Sequence, residues 1–143
     1  LLQLVTPITE VEVFSQYWDT RFFGVAAAKR RFGGVAPGNI PDYKALVGDK
    51  SDNLPGVPGI GDVSATAVLQ ECGRLDNVYE DLAVIQESSF RGAKRVAKLL
   101  AANREQAFLM RTLTTIVCNV PVDIDIDGAK LQDTGLGDKE VNH

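Results

Sequence analysis

Gly48-Asp49-Lys50-Ser51-Asp52-Asn53-Leu54-Pro55-Gly56-Val57-Pro58-Gly59-Ile60-Gly61, residues 48–61, decides how the rest of the chain is read. Two prolines and three glycines between Leu54 and Gly61 rule out a continuing helix or a central strand, so the backbone must turn. Just upstream, Tyr43, Leu46 and Val47 form a short helical pattern that Gly48 can end. Asp49 and Asp52, three residues apart, can then point to one side. Two such charges about 4 Å apart repel by roughly 1 kcal/mol in water and by more once partly buried, which calls for a cation, either Lys50 or a metal. Oxygen-only ligands of this kind suit Mg²⁺ or Mn²⁺. The same residues also read as a helix-end acid at Asp49, with Ser51 or Asp52 capping the next segment.

Downstream, Asp62 to Leu69 reads as a helix start, with Val63, Ala67 and Leu69 or Val68 available for a buried face. A Gly59-Ile60-Gly61 turn opening into that helix exposes main-chain N–H groups with no side chain in the way. The helix N-terminus adds roughly half a positive charge, so the corner accepts a phosphate. Ile60, between the glycines, is expected to plug the turn into the core.

These residues carry a resemblance. Asp42, Tyr43, Leu46, Gly48, Asp49, Ser51, Asp52, Asn53, Pro55, Gly56, Gly59, Gly61 and Ala65 stand where the 5′-3′ exonuclease and flap endonuclease family places its helix-hairpin-helix region. The exonuclease domain attached to bacterial DNA polymerase I is the nearest form of that pattern. The resemblance implies a mainly α, helix-hairpin-helix (SAM-like) fold with short flanking strands. It implies that Asp49 and Asp52 are ligands in a Mg²⁺ or Mn²⁺ site, and that the hairpin grips the backbone of duplex DNA with K⁺ at its turn carbonyls. Gly56, Val57, Gly59, Ile60, Gly61 and Ser64 are the residues expected at that contact. In the family a Leu-Gln-Leu stretch like Leu2-Gln3-Leu4 follows further metal-binding aspartates. Those positions fall before residue 1, so the 143 residues alone are expected to be inactive. The chain departs from the family at Val63, where a lysine is usual.

Composition bounds the alternatives. A chain of 143 residues, 45% hydrophobic, is one domain in size and can bury a core. No window is apolar enough to span a membrane and no signal segment opens the chain, which makes a cytoplasmic protein the expectation. Cys72 and Cys118 share one histidine, His143, and no zinc spacing exists. The net charge of −4 argues against unspecific coating of nucleic acid, so any DNA contact must be local.

Elsewhere, Val11 and Val13 alternate with Glu10 and Glu12 as a short strand, and Asp19 to Phe32 reads as a helix ending in Lys29, Arg30 and Arg31. That basic triplet could meet phosphate, but a solvated helix C-terminus, where cations suit the dipole, is the more common explanation. From Phe90, the residues Phe90, Ala93, Val96, Ala97 and Leu100 mark one helical face, while Arg91, Lys94, Arg95 and Lys98 make a cationic stripe on another. Four like charges with no interleaved acid suggest a polyanion nearby, although a solubilising face has the same pattern. A last helix from Glu105 to Ile116 is expected to turn Phe108, Leu109, Leu113 and Ile116 inward. Val120 to Ile126 alternates as a strand. Asp123, Asp125 and Asp127 imitate the start of a calcium loop, but Thr134 stands where its bidentate glutamate belongs.

The chain is therefore read as residues 1–36 ending a nuclease α/β core, 37–118 a helix-hairpin-helix DNA-binding domain, and 119–143 an extended tail. The expected partner is duplex DNA with a 5′ end or flap, with a polymerase domain on the same parent chain and roles in replication and repair. A stand-alone DNA-binding module without catalysis is the alternative.

Overall fold

The computed structural model describes residues 1–14, 20–123 and 125. After a 3₁₀ turn at Leu2–Leu4, β1 (Val11–Phe14) and β2 (Thr20–Phe23) pair antiparallel, with Val11 opposite Phe23 and Val13 opposite Arg21. The helix expected from Asp19 to Phe32 is thus shorter: Gly24 is extended and α1 runs only from Val25 to Arg31. Phe22 and Phe23 suited the helical period locally, yet pairing with Val11–Phe14 claims them for a strand, a long-range contact that period analysis does not register.

A second 3₁₀ turn leads into α2 (Ile40–Val47), which carries Pro41 in its first turn, where no intrahelical N–H is needed. The 48–61 segment comes next, then α3 (Asp62–Cys72), α4 (Leu75–Glu80), α5 (Leu82–Glu87), α6 (Ala93–Ala102) and α7 (Arg104–Thr114). Among the described residues the fold is mainly helical, with one two-stranded sheet. The helix α2 packs on α7, and α5 packs on α6. Between them lies one core in which Leu46, Val57, Val68, Leu75, Ile85 and Leu100 are fully buried.

The hairpin segment is threaded into this core. Val57 donates its N–H to the Leu46 carbonyl at 2.9 Å, and its side chain is buried with that of Ile60. Gln106 of α7 donates its side-chain amide to the Gly56 carbonyl, which fixes the turn against the far side of the fold. A buried carboxylate ties the other ends together. Asp42, 6% exposed, accepts the Leu75 N–H at the start of α4 and lies 3.7 Å from Arg111 of α7, which also pairs with Asp76. Burial pushes the Asp42 carboxyl up, against the opposing pull of the Leu75 N–H and Arg111.

Several side chains face the other way from expectation. Val63 is 86% exposed, because α3 turns Ala65, Val68 and Leu69 inward. In α7, Ala107 and Met110 are buried while Leu109 and Leu113 are more than half exposed. Size and hydrophobicity favoured the leucines, but the close approach of α2 and α7 selects the smaller alanine face. Arg91 stands in the turn before α6, whose N-cap is Gly92 in the left-handed region, so three rather than four of the cations lie on the helix itself. Val120, Pro121, Val122 and Asp123 form no strand. Asp127 and Thr134 of the calcium-like sequence, together with the tail to His143, lie outside the described residues.

Candidate nucleic-acid interface and acidic loop

The acidic loop is a closed turn. Asp49 and Leu54 exchange main-chain hydrogen bonds of 2.8 and 2.9 Å, and Asp52 donates its N–H to the Asp49 carbonyl, so both acids sit on one tight loop. Asn53 takes a positive φ of 55°, a conformation asparagine tolerates better than most residues. The cation that answers Asp49 is not Lys50 but Lys44, reaching forward from the last turn of α2 to one carboxylate oxygen. Ser51 supplies its N–H and hydroxyl to the other oxygen.

The hydrogen bond from Lys44, followed by those from Ser51, holds the Asp49 carboxyl at about 2. The folded value lies below the unfolded one, so this loop contributes stability above about pH 4 and loses it as the pH falls toward about 2. Replacing Lys44 by methionine is expected to cost about 1 kcal/mol at neutral pH, a figure reduced for solvent screening of a partly exposed pair. It should also raise the Asp49 titration midpoint. Thermal unfolding at pH 7 and pH 3, with carboxylate NMR titration, measures both.

As a metal site the loop offers oxygen donors only. These fit the edge of an open Mg²⁺ or Mn²⁺ site that retains waters. Two carboxylates make only part of such a site, and among the described residues no group of three or more His, Cys, Asp or Glu side chains comes together. Asp49 would have to exchange Lys44 or Ser51 for the metal.

The hairpin presents a different surface. Gly59 adopts a φ of 83°, and a Cβ built on Gly61 would meet nothing within 4 Å. Among the described residues the Gly59 and Gly61 amides donate to no main-chain oxygen, and Gly61 gives α3 no side-chain cap. The free N–H groups at the start of α3 join them to make an anion-accepting corner. Gly56 and Val57, expected at the DNA contact, are both interior, and the Val57 amide is spent on Leu46. The Ile60 side chain is also interior, and its N–H closes the turn onto the Val57 carbonyl. Ser64 is half-buried in the first turn of α3.

The fold carries the cationic stripe to this corner. The Arg95 guanidinium lies 3.1 Å from where a Gly59 Cβ would be, with Leu99 at 3.2 Å beneath it. Lys94 and Lys98 are exposed on the same helix, Arg91 is exposed in the turn before it, and none of the four cations forms an ion pair among the described residues. On the other side Tyr43 donates its hydroxyl to Asp62 at 2.8 Å, the acid that follows Gly61. Burial and that carboxylate push the Tyr43 hydroxyl up to about 12, so it stays a donor at any ordinary pH. Sequence reasoning missed Lys44 because its carboxylate lies across the helix end, and missed the Arg95–Gly59 approach because nothing local records it.

A hairpin of this shape between two short helices, roofed by a basic helix, defines the helix-hairpin-helix class. The family model described as "5′-3′ exonuclease, C-terminal SAM fold" matches residues 35–135, and the chain belongs to that family. It is 36% identical over 135 residues to DNA polymerase I of Caldicellulosiruptor bescii, covering 92% of this chain and 15% of that protein. It is 45% identical over 104 residues to DNA polymerase I of Pseudomonas aeruginosa, covering 72% and 11%. A 5′-3′ exonuclease of Buchnera aphidicola is 34% identical over 93 residues, covering 65% and 32%. The chain therefore spans less than a sixth of the two polymerase relatives. No helix among the described residues is long and apolar enough to cross a membrane.

Proposed function

We propose that this chain is the part of a metal-dependent 5′-3′ exonuclease that grips the sugar-phosphate backbone of duplex DNA near a 5′ end or flap, without sequence preference. One observation carries the reading: the Arg95 guanidinium of α6 lies against Gly59, beside the open Gly61 amide that leads into α3, and the cations of α6 form no ion pair among the described residues. Open amides beside a guanidinium suit phosphate oxygens, and main-chain N–H groups carry no code for a base edge.

In this reading residues 37–118 hold the duplex, K⁺ can sit at the turn carbonyls, and Asp49 and Asp52 contribute to a Mg²⁺ or Mn²⁺ site. The chemistry supplied by that metal when bound is activation of water and stabilisation of the leaving oxygen. Lys44 and Ser51 keep Asp49 ionised, and one of them would give way to the metal. Two carboxylates do not complete such a site, so the 143 residues alone are expected to bind DNA and not to hydrolyse it. The polymerase relatives support a parent chain that also carries a polymerase, working in the cytoplasm in replication and repair.

Fluorescence anisotropy of a labelled 5′-flap duplex tests the central claim. If the hairpin and the cations from Arg91 to Lys98 together neutralise about four phosphates, they contribute roughly −3 to −4 to the slope of log K against log salt, with Kd in the roughly 10⁻⁴ to 10⁻⁶ M range near physiological salt for any sequence. A folded protein that gives no salt-sensitive anisotropy change would remove this function.

A further inference from the structure

An open depression of about 460 Å³ runs from the acidic loop to the foot of α3, and Arg31, Tyr43, Lys44, Lys50, Ser51 and Asp62 line it. Its two lining carboxylates are already engaged: Asp49 is held by Lys44 and Ser51, and Asp62 by the Tyr43 hydroxyl. Two of its three cations are not. Arg31 and Lys50 are exposed and form no ion pair among the described residues.

Arg31 is also held in place. Its guanidinium stands 5.8 Å over the Phe23 ring, and the next residue, Phe32, packs edge-on against Tyr43 at 5.4 Å. The ring under the guanidinium restrains a side chain that lines the depression, and Phe32 and Tyr43 tie the end of α1 to α2. In a chain of net charge −4, unpaired cations facing one concavity mark a place for an anion brought from outside. Asp62, directly after Gly61, and Asp49 both line the depression, so a strand that leaves the hairpin amides through it passes Asp49.

We propose that Arg31 and Lys50 hold phosphates of the same DNA strand between the hairpin and the acidic loop, forming a rail that aligns the strand with the carboxylates. This assignment rests on the DNA-gripping reading above and adds to it a binding role for the end of α1. The residues that make the rail come from the end of α1 and from the acidic loop and meet at this depression. Lys29 and Arg30, neighbours of Arg31 on α1, are exposed and do not line the depression, which makes them an internal control of equal charge.

The experiment is salt-dependent anisotropy of the 5′-flap duplex with the 143-residue protein, the Arg31→Gln/Lys50→Gln variant and the Lys29→Gln/Arg30→Gln variant. Removal of two phosphate-binding cations should make the slope of log K against log salt shallower by about 2 and weaken binding roughly 50-fold at about 0.1 M salt. The control should change affinity less than about threefold, since its charges lie off the strand. Equal losses in both variants, or no loss at Arg31 and Lys50, would overturn the rail while leaving the hairpin reading in place. A wild-type protein that does not bind would sink the hairpin reading instead. Should Arg31→Gln unfold because its Phe23 partner is abandoned, Lys50→Gln alone decides, with an expected slope change of about 1 against none.

Discussion

Gly56→Ala is expected to lower the thermal unfolding midpoint by about 10 °C or more. Gly56 has a φ of 65°, and a Cβ there would lie 2.4 Å from the Gly48 nitrogen, 2.6 Å from the Val47 carbonyl carbon and 2.7 Å from the Leu46 oxygen. All three are main-chain atoms of the end of α2, so no side-chain rotation relieves the clash. Positive-φ strain contributes about 1 kcal/mol or more, and forced separation of the two backbones also breaks the Val57-to-Leu46 hydrogen bond. The sum is about 3 kcal/mol or more, which for a domain of this size corresponds to roughly the stated change in midpoint. Gly61→Ala is the matched comparison: its Cβ would meet nothing within 4 Å and its φ of −111° suits any residue. Circular dichroism melts of the two variants should separate cleanly. Equal midpoints would mean that the hairpin is not anchored to α2 as described.

That contrast shows which glycines of residues 48–61 serve the fold and which serve the surface, and sequence alone does not make the distinction. The turn itself was legible, because proline and glycine at that density leave the backbone little choice. So was the inner face of α6, where Ala93, Val96, Ala97 and Leu100 follow the helical period and are buried. Helix α7 misled because its period was right and its phase wrong: Leu109 and Leu113 look like core residues until α2 is known to lie against Ala107 and Met110. Strand β2 was hidden for a related reason, since its partner, not its composition, makes it a strand.

The candidate site divides in the same way. Carboxylates and hairpin glycines stand close together in the sequence and could be singled out there. The groups that answer them are set by geometry: Lys44 reaches Asp49 across the end of α2, Tyr43 of α2 meets Asp62 of α3, and Arg95 of α6 and Gln106 of α7 come to Gly59 and Gly56 only through the fold. Asp42 is the clearest instance. It belongs to the same short motif as Asp49, yet it is turned inward to hold the start of α4 and Arg111, and takes no part in the acidic loop.

The second large effect belongs to α6. Lys94→Ala/Arg95→Ala/Lys98→Ala is expected to make the salt slope of duplex binding shallower by about 2.7, since each phosphate no longer neutralised removes about 0.9 from it. At about 0.1 M salt this amounts to a loss of two to three orders of magnitude in affinity, so the variant has to be measured near about 0.02 M, where the electrostatic term is larger. The fold should survive, because all three side chains are exposed, none is ion-paired among the described residues, and alanine favours helix. Relieving the repulsion between Lys94 and Lys98, one turn apart, adds a few tenths of a kcal/mol in the same direction. Binding should therefore fall while the melting temperature stays level or rises. A single Arg95→Ala is the sharper probe: its guanidinium alone overlies Gly59, and its loss should exceed that of Lys94→Ala or Lys98→Ala. If the three single variants lose affinity equally, α6 acts only as a diffuse positive field, and the proposed junction of helix and hairpin is not where the backbone is gripped.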